Sequence, residues 1–247
     1  MNFFERILYL LEKYGSEFLK GTLMTLLLAL IGTLVGLLLG SGLAILRNLE
    51  INRNDKTITK VFKKIGSYFA TFYIQVFRGT PMMVQAMIIY FGGSYLGFSW
   101  NLTICGIIII TLNTTAYMAE IVRSGINSVD NGQIEAAKSL GMTSWQTMVH
   151  VVLPQALKNA IPTIGNEFIV NIKDSSVLNV ITVSELFMAG KIAATTYMTI
   201  EAYTIVALIY LLLTFIFSKL LKIVEAKLDE DGVNVHKLKV KMVTFDD

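Results

Sequence analysis

The sequence predicts an all-α membrane protein with about five transmembrane helices. Of its 247 residues, 54% are hydrophobic and only 16% are charged, whereas about 25% of an ordinary soluble domain is charged. Several apolar stretches reach the roughly 17–25 residues that a helix needs to cross a bilayer. The sequence lacks the short alternating segments of a transmembrane β-barrel. These observations favour a bundle of membrane-spanning helices.

The distribution of charge predicts the orientation of the chain. The net charge is a modest +3, and the basic residues cluster in loops, so they are interpreted as topology signals and no nucleic-acid partner is expected. Placing the basic loops in the cytoplasm puts the N-terminus outside and the C-terminus inside. Cys105 is the single cysteine, which excludes an intrachain disulfide and indicates a packing residue.

Residues 1–20 are predicted to form an amphipathic helix at the membrane interface. Their apolar side chains recur at three- and four-residue spacing, as in a helix that lies on a bilayer. No cleavable signal pattern is found, so the spans themselves are expected to direct insertion. The first span covers residues 21–46, where Gly32, Gly36 and Gly40 share one face and let a neighbouring helix approach closely.

The next apolar stretch carries a charge near its centre, in Arg78-Gly79-Thr80-Pro81. A charge at bilayer mid-depth costs about 2.5–3.5 kcal/mol, so we expect the stretch to break there. An interfacial helix would cover residues 66–77, and the second span residues 81–96. Thr80 would cap that span, with Pro81 as its first residue. Arg78 would then lie at the cytoplasmic face.

The remaining spans are predicted at residues 102–122, 162–186 and 200–221. The loop before the third span has no lysine or arginine and is expected outside, whereas the basic loop at residues 47–64 is expected inside. A cytoplasmic loop at residues 130–158 separates the third and fourth spans. Residues 21–225 would form the membrane domain, followed by a polar cytoplasmic tail at residues 226–247.

The loop at residues 130–158 is predicted to fold as two short helices. Capping-box spacing occurs twice in it, and a glycine and a proline stand at the expected helix ends: Asp130 with Gln133, Thr143 with Gln146, Gly141 and Pro154. Both helices are too short to cross a bilayer. These features fit a re-entrant or packing element as well as a docking element for a protein partner.

Several motifs lie in order across about residues 20–225: Arg78-Gly79-Thr80-Pro81, Ala116-Tyr117-Met118-Ala119-Glu120, Gly132-Gln133, Glu135-Ala136-Ala137 with Gly141 and Leu153-Pro154, Gly165-Asn166-Glu167-Phe168, and Lys173-Asp174-Ser175-Ser176. Together they resemble the polar amino acid subfamily of permease subunits of ATP-binding cassette (ABC) importers. The resemblance implies a type I importer permease fold and transport of a polar amino acid across a bacterial cell membrane. The long polar tail departs from the family pattern, and its role stays open.

The resemblance also implies partners. In that family the loop is the coupling helix, which inserts into a groove on a cytoplasmic ATPase. The residues implied in coupling are Glu135, Ala136, Ala137, Gly141, Trp145 and Pro154. A second permease, either another copy or a paralogue, and an extracytoplasmic amino-acid-binding protein are implied as well. The phosphate-binding pattern G-x-x-x-x-G-K-[ST] is not found in the sequence, so ATP and Mg²⁺ are expected on the partner ATPase. No cofactor and no enzymatic activity are expected on this chain.

Polar residues inside the spans are the candidates for contact with substrate, because ionisable groups in a membrane usually face a cavity or pair with each other. The candidate site consists of Asn113, Glu167, Gln85, Asn171 and Lys173. In the functional interpretation, Glu167 receives an amino or basic group while the backbone and Asn113 complete the pocket. The resemblance implies a substrate cavity near these two positions. Alternatively, Glu167 and Lys173 neutralise one another or neighbouring charges. Glu120, Arg123 and Asp174 are interpreted as structural or interfacial.

Two other functions remain as alternatives. An ion-coupled secondary transporter of amino acids would use Glu167 or Asp174, and a membrane scaffold would use the two short helices only for docking. The coupling motif argues against the first, and the polar residues of the fourth span argue against the second. The methionines near residue 83 have no histidine or cysteine beside them, so no metal site is expected. Arginine, lysine, histidine, glutamine, glutamate and cystine all stay open as substrates, since every amino acid carries an ammonium group.

Overall fold

The protein folds as a bundle of helices in a computed structural model, which describes residues 2–49, 56–197 and 200–243, with residues 229–243 as backbone only. Within these ranges the regular structure is entirely helical, which confirms the all-α class. The α-helices are α1 (Phe3–Asn48), α2 (Thr57–Gly79), α3 (Met82–Tyr95), α4 (Leu102–Asn127), α5 (Asn131–Ser139), α6 (Ser144–Thr147), α7 (Leu153–Asp174), α8 (Leu186–Tyr197) and α9 (Glu201–Val243). A π-helical turn (Met148–Val152) joins α6 to α7, and a 3-10 segment (Ser175–Ile181) follows α7.

Helix α1 is continuous through the position where we predicted an interfacial helix to end and the first span to begin. It starts with a capping box between Asn2 and Glu5 and contains no proline, so no residue interrupts its hydrogen-bond ladder. The predicted glycine face is confirmed, because it packs directly on α4. A Cβ atom on Gly40 would come within 2.8 Å of the backbone nitrogen of Ala119. The interfacial placement of residues 1–20 stays a prediction.

The break between α2 and α3 falls at the predicted place, but a different side chain caps it. Thr80 was predicted to cap α3, and this is wrong, since its hydroxyl donates back to the carbonyl of Val76 at 2.8 Å. Gln85 reaches back from the first turns of α3 instead. Its Nε2 donates to the carbonyl oxygens of Phe77 (2.9 Å) and Thr80 (3.0 Å). The side chain of Gln85 therefore satisfies carbonyl groups at the end of α2, not the first N–H groups of α3.

The predicted fourth span is a broken helix rather than one continuous segment. Helix α7 begins before it, passes through Pro162 and ends at Asp174. The 3-10 segment then leads to Thr182, which adopts a left-handed conformation with φ of 62°. This residue turns the chain into α8. The candidate span formed by residues 144–181 together with α8 is bent by 53°.

Glu185 caps the second half of this broken span. Its buried carboxylate accepts hydrogen bonds from the backbone N–H groups of Phe187 (2.8 Å) and Met188 (2.7 Å), at the start of α8. The hydroxyl of Tyr210 on α9 donates a third bond at 2.9 Å. Three donors and the helix N-terminus stabilise a carboxylate that would otherwise be costly to bury. The sequence analysis did not single out Glu185.

Three helices of the described chain are individually long and apolar enough to cross a membrane: α1, α4 and the part of α9 from Glu201 to Leu228. Helix α3 nearly coincides with the predicted second span but has 14 residues, or about 21 Å. It therefore needs α2 to complete a crossing of the roughly 30 Å hydrocarbon layer. Helix α9 continues into the predicted tail, whose residues 244–247 lie outside the described ranges. The five-span count and the orientation stay predictions.

Helix α4 is the central element, and α1, α2, α3 and α7 all pack on it. The C-terminal end of α4, near residues 130–158, packs tightly against α7. Any Cβ atom on Gly125 would overlap the carbonyl oxygen of Ala156 on α7. This contact holds the start of α7 against the end of α4, and so places the two short helices beside the polar residues of the bundle.

Candidate functional site

Two of the predicted site residues, Gln85 and Asn113, lie together at the break between α2 and α3. Asn113 Nδ2 donates to Gln85 Oε1 at 3.0 Å, and both side chains are buried. Gln85 uses its own Nε2 to hold the end of α2. The pair therefore connects α4 to the break between α2 and α3.

Asn171 forms a second buried network that joins three helices. Its Oδ1 accepts from the hydroxyl of Thr114 on α4 at 3.0 Å, and its Nδ2 donates to Thr33 Oγ1 on α1 at 2.9 Å. The predicted neighbour Lys173 is exposed on the other side of α7. Within the described residues, Lys173 forms no ion pair with Glu167 at 4.0 Å or less, so the alternative in which these two charges neutralise each other is not observed.

Glu120 forms ion pairs with three arginines from different parts of the chain. Its Oε1 lies 2.5 Å from Arg47 Nη1 on α1 and 3.7 Å from Arg78 Nη1 on α2, and its Oε2 lies 2.8 Å from Arg123 Nε. The guanidinium of Arg78 also lies over the ring of Tyr117, 5.5 Å from its centroid. The cluster carries more positive than negative charge. It connects the ends of α1, α2 and α4.

A crevice runs beside this cluster between α4 and α7. It encloses about 380 Å³ and is lined by Arg78, Tyr117, Glu120, Asn159 and Glu167, with further small and apolar residues. This volume lies within the roughly 300–1,000 Å³ of typical ligand pockets. A second cavity of about 460 Å³ shares Arg78, Tyr117 and Glu120 with it and extends to Arg47. We call the first cavity the polar crevice.

Glu167 is the one predicted site residue that lines the polar crevice. The side chain is half-buried, and among the described residues it has no hydrogen-bond or ion-pair partner. Arg78 faces the same crevice. A carboxylate and a guanidinium on one cavity can bind a ligand that carries both an ammonium and a carboxylate group. The other predicted residues, Gln85, Asn113, Asn171 and Lys173, are absent from its lining.

The two short helices, α5 and α6, fold largely as their sequence predicts. The second capping box is confirmed: Gln146 N–H donates to Thr143 Oγ1 at 3.2 Å, and Thr143 N–H donates to Gln146 Oε1 at 2.9 Å. The first is correct only in part: Asp130 does cap α5, but its Oδ1 accepts from the N–H of Gly132 at 2.8 Å, and the predicted capping box with Gln133 is not formed among the described hydrogen bonds. An Asx turn takes its place.

Gly141 ends α5 in the predicted left-handed conformation, with φ of 81°. The N–H of Gly141 donates to the carbonyl of Lys138 at 3.0 Å, and that of Met142 to the carbonyl of Ala137 at 3.2 Å. These two bonds define a Schellman motif, which satisfies the last carbonyls of the helix. The chain can then reverse direction into α6. We call residues 131–147, which include both helices, the docking hairpin.

Pro154 was predicted to end the second helix of the hairpin, and this is wrong. The chain stays helical from α6 into α7 through the π-helical turn, in which the N–H of Leu153 donates to the carbonyl of Met148. The widened turn before Pro154 accommodates a residue that cannot donate its own hydrogen bond. As a result the hairpin is joined to α7 by continuous helix, so a movement of one displaces the other.

Most of the predicted coupling residues are exposed, on the hairpin or, for Pro154, at the start of α7. Glu135, Ala136, Gly141, Trp145 and Pro154 are exposed, with 56% of Trp145 accessible. Ala137 is the exception at 4% exposed, so it supports the hairpin from inside. The neighbouring Leu140 is 84% exposed, and sequence analysis did not single it out. Leu140 and Trp145 are thus two large apolar side chains that the hairpin exposes.

The inner side of the hairpin packs on the nearby ends of the long helices, where Ile134 contacts a buried cluster. Val152 belongs to a buried cluster with Ala44 of α1 and Val122, Ile126 and Ala156 of α4 and α7. Asn159 Nδ2 donates to Ser128 Oγ at 2.9 Å, and both residues line the polar crevice. The docking surface and the crevice are therefore connected through the start of α7.

Comparison with known proteins identifies relatives over nearly the whole chain. The family described as "Binding-protein-dependent transport system inner membrane component" matches residues 57–230. The putative glutamine transport system permease protein GlnP of Rickettsia prowazekii is 34% identical over 226 residues, covering 90% of this chain and 98% of its own. The arginine transport system permease protein ArtQ of Bacillus subtilis is 37% identical over 212 residues, covering 85% and 91%.

A solved structure gives the same result for the fold. The chain superposes on a structure described as "Crystal structure of an amino acid ABC transporter with histidines" with a TM-score of 0.78 and 38% identity. The superposition covers 92% of this chain and 99% of the other. The arrangement of α1 to α9 therefore matches that of a chain in a solved amino acid ABC transporter.

Proposed function

Because the chain belongs to the family of binding-protein-dependent transport system inner membrane components, we propose that it is the permease subunit of an ABC importer for a polar amino acid. Relatives named as glutamine and arginine permeases support this substrate class. ATP and Mg²⁺ bind to separate ATPase subunits. A second permease and an extracytoplasmic binding protein complete the importer in the membrane of a bacterial cell.

The observation that carries the substrate class is the side chain of Glu167. It lines the polar crevice with no hydrogen-bond or ion-pair partner among the described residues, and a half-buried carboxylate is costly unless a ligand or water satisfies it. In this proposal Glu167 receives the ammonium or basic side chain of the amino acid, and Arg78 receives its carboxylate. Gln85, Asn113 and Asn171 then act indirectly, by holding the helices that shape the crevice.

The docking hairpin transmits the force of ATP hydrolysis. Its exposed tip, with Leu140 and Trp145, inserts into the ATPase, and its base continues into α7. When the ATPase subunits close on ATP, the hairpins move and carry α7 with them. Because α7 supplies Glu167, this movement switches the crevice between inward and outward access. The binding protein delivers the amino acid outside, and the crevice releases it inside.

The proposal is tested by reconstituting the full chain with its ATPase and binding protein in proteoliposomes. ATP-driven uptake of amino acids is measured for the wild type and for Glu167→Gln. The amide keeps the shape but loses the charge, so we expect uptake to fall at least about tenfold, the factor that 1.4 kcal/mol of lost binding gives. Asn166→Gln, an exposed neighbour, is the control and should transport normally.

Two outcomes contradict parts of the proposal. Unchanged affinity and selectivity of Glu167→Gln would remove Glu167 from the site while leaving the permease assignment intact. Uptake that needs an ion gradient but no ATPase would identify an ion-coupled secondary transporter and overturn the assignment itself.

A further inference from the structure

We propose that the second cavity binds a carboxylate anion, at a site separate from the polar crevice. This cavity encloses about 460 Å³ between α1, α2 and α4, and its polar lining consists of Arg47, Gln75, Arg78, Tyr117 and Glu120. That the carboxylate belongs to the transported amino acid rests on the proposed function, whereas the anion site itself rests on the cavity alone.

The charge of the second cavity favours an anion. Arg47 and Arg78 line it, and the only acidic residue in its described lining is Glu120. A third guanidinium, on Arg123, pairs with the same carboxylate from outside this lining. One negative charge is therefore surrounded by three positive charges, which leaves the wall of the cavity positive. Such a wall attracts small anions.

Both lining arginines keep N–H groups for an anion. Arg78 Nη1 lies 3.7 Å from Glu120 Oε1, which is too far for a hydrogen bond. Arg47 donates one described hydrogen bond, to Glu120, whereas a guanidinium has five N–H groups. The exposed side chain of Gln75 forms no hydrogen bond with any described residue. A planar carboxylate fits the fork of a guanidinium and can also accept from a neighbouring amide.

The connection with the polar crevice indicates which anion the cavity receives. Arg78, Tyr117 and Glu120 line both cavities, and the guanidinium of Arg78 lies over the ring of Tyr117. An amino acid that leaves Glu167 can keep its carboxylate on Arg78 as it passes this ring. Arg47, which lines only the second cavity, is the next guanidinium on its path. The second cavity therefore holds the amino acid by its carboxylate, without Glu167.

The experiment uses the purified full chain in a neutral detergent, with trifluoroacetate as the probe. This anion has a carboxylate but no ammonium group, so its binding does not need Glu167, and a titration followed by fluorine NMR gives its dissociation constant. The wild type should bind it, and Arg47→Gln should weaken binding at least about tenfold. That factor corresponds to about 1.4 kcal/mol, which a hydrogen bond to a charged group contributes.

A second variant leaves the ion pairs of Glu120 in place. Gln75→Leu removes a polar group that lines only the second cavity, and should weaken binding about two- to tenfold, as expected for a neutral hydrogen-bond donor. It also serves as the test if Arg47→Gln does not fold. No binding to the wild type, or unchanged binding to Gln75→Leu, would overturn the proposal.

Two control variants separate the cavity from its surroundings. Arg123→Gln removes one positive charge beside Glu120 but lines neither cavity, so it should weaken binding less than about threefold. A loss as large as that of Arg47→Gln would mean that the probe follows net charge, and the proposal would fail. Glu167→Gln should not weaken binding of the probe, whatever its effect on uptake. A loss there would place the anion in the polar crevice instead.

Competition at constant ionic strength identifies the class of anion. Acetate and glycine should displace the probe, whereas glycinamide, which lacks the carboxylate, should not. This result supports a site for the carboxylate of an amino acid. Displacement by inorganic phosphate at a lower concentration than by acetate would identify a phosphate site and overturn the carboxylate assignment.

Discussion

The docking hairpin and the polar interior of the bundle are built from hydrogen bonds of different range. In the hairpin, Thr143 and Gln146 cap each other three residues apart, and the bonds at Gly141 are equally local. In the interior, Asn171 bonds to Thr33 and Thr114, which lie far away in the chain. The hairpin can therefore fold from its own sequence, whereas the interior depends on the assembly of three helices.

This difference predicts how each region responds to substitution. Damage to the interior should lower the stability of the whole bundle, because one side chain holds several helices. Damage to the hairpin should stay local and appear in ATP coupling. The three predictions below test this contrast, in order of decreasing expected effect.

The largest effect is expected for Gly125→Ala. Its added methyl group would overlap the carbonyl oxygen of Ala156, and a backbone atom cannot move away as a side chain can. We expect a loss of about 3 kcal/mol or more in the free energy of unfolding, at the upper end for overpacked cores. Thermal unfolding of the purified chain measures it.

Gly42→Ala provides the matched control, since a Cβ atom at Gly42 meets no other atom within 4 Å. Its thermal midpoint should equal or slightly exceed that of the wild type, because alanine favours a helix. If both variants unfold at the same temperature, the close approach of α4 and α7 does not limit the stability of the bundle.

A smaller effect is expected for Asn171→Leu. The substitution leaves the hydroxyls of Thr33 and Thr114 without their shared partner, which costs about 1–2 kcal/mol in a membrane interior. The measurement is again the thermal midpoint, compared with Asn166→Leu at an exposed position of the same helix. Equal midpoints for the two variants would mean that the network does not hold the helices together.

The same contrast explains which features could be predicted from the sequence. The cap at Thr143, the left-handed Gly141 and the glycine face of α1 depend on residues a few positions apart, so their spacing identified them. The cap of the α2–α3 break was missed, because Thr80 and Pro81 matched a local rule while Gln85 reached back across the break.

The polar candidates in the spans illustrate the limit more clearly. Gln85, Asn113, Asn171 and Glu167 look alike in the sequence as polar residues in apolar segments. Their different positions depend on the rotation of each helix, which is set by packing against neighbours that are remote in the chain. Glu185 was missed for the same reason, since its donor Tyr210 lies on another helix. Thr182, the left-handed residue that precedes Glu185, is not a glycine, so no glycine in the sequence marked the break.

The smallest effect on stability, and the most specific one on function, is expected for Gly141→Val. A β-branched residue is strained at φ of 81°, by about 1–2 kcal/mol, and the strain falls on the Schellman motif alone. Hydrogen exchange of the backbone amides at positions 141 and 142 should accelerate, while the thermal midpoint of the bundle stays within about 1 °C, since the hairpin adds little to the core. Uptake per ATP hydrolysed should fall. Gly141→Asn, which tolerates the left-handed conformation, should restore most of it. If valine instead lowered the midpoint as much as Asn171→Leu does, the hairpin would be part of the cooperative core, and its local folding could not be separated from that of the interior.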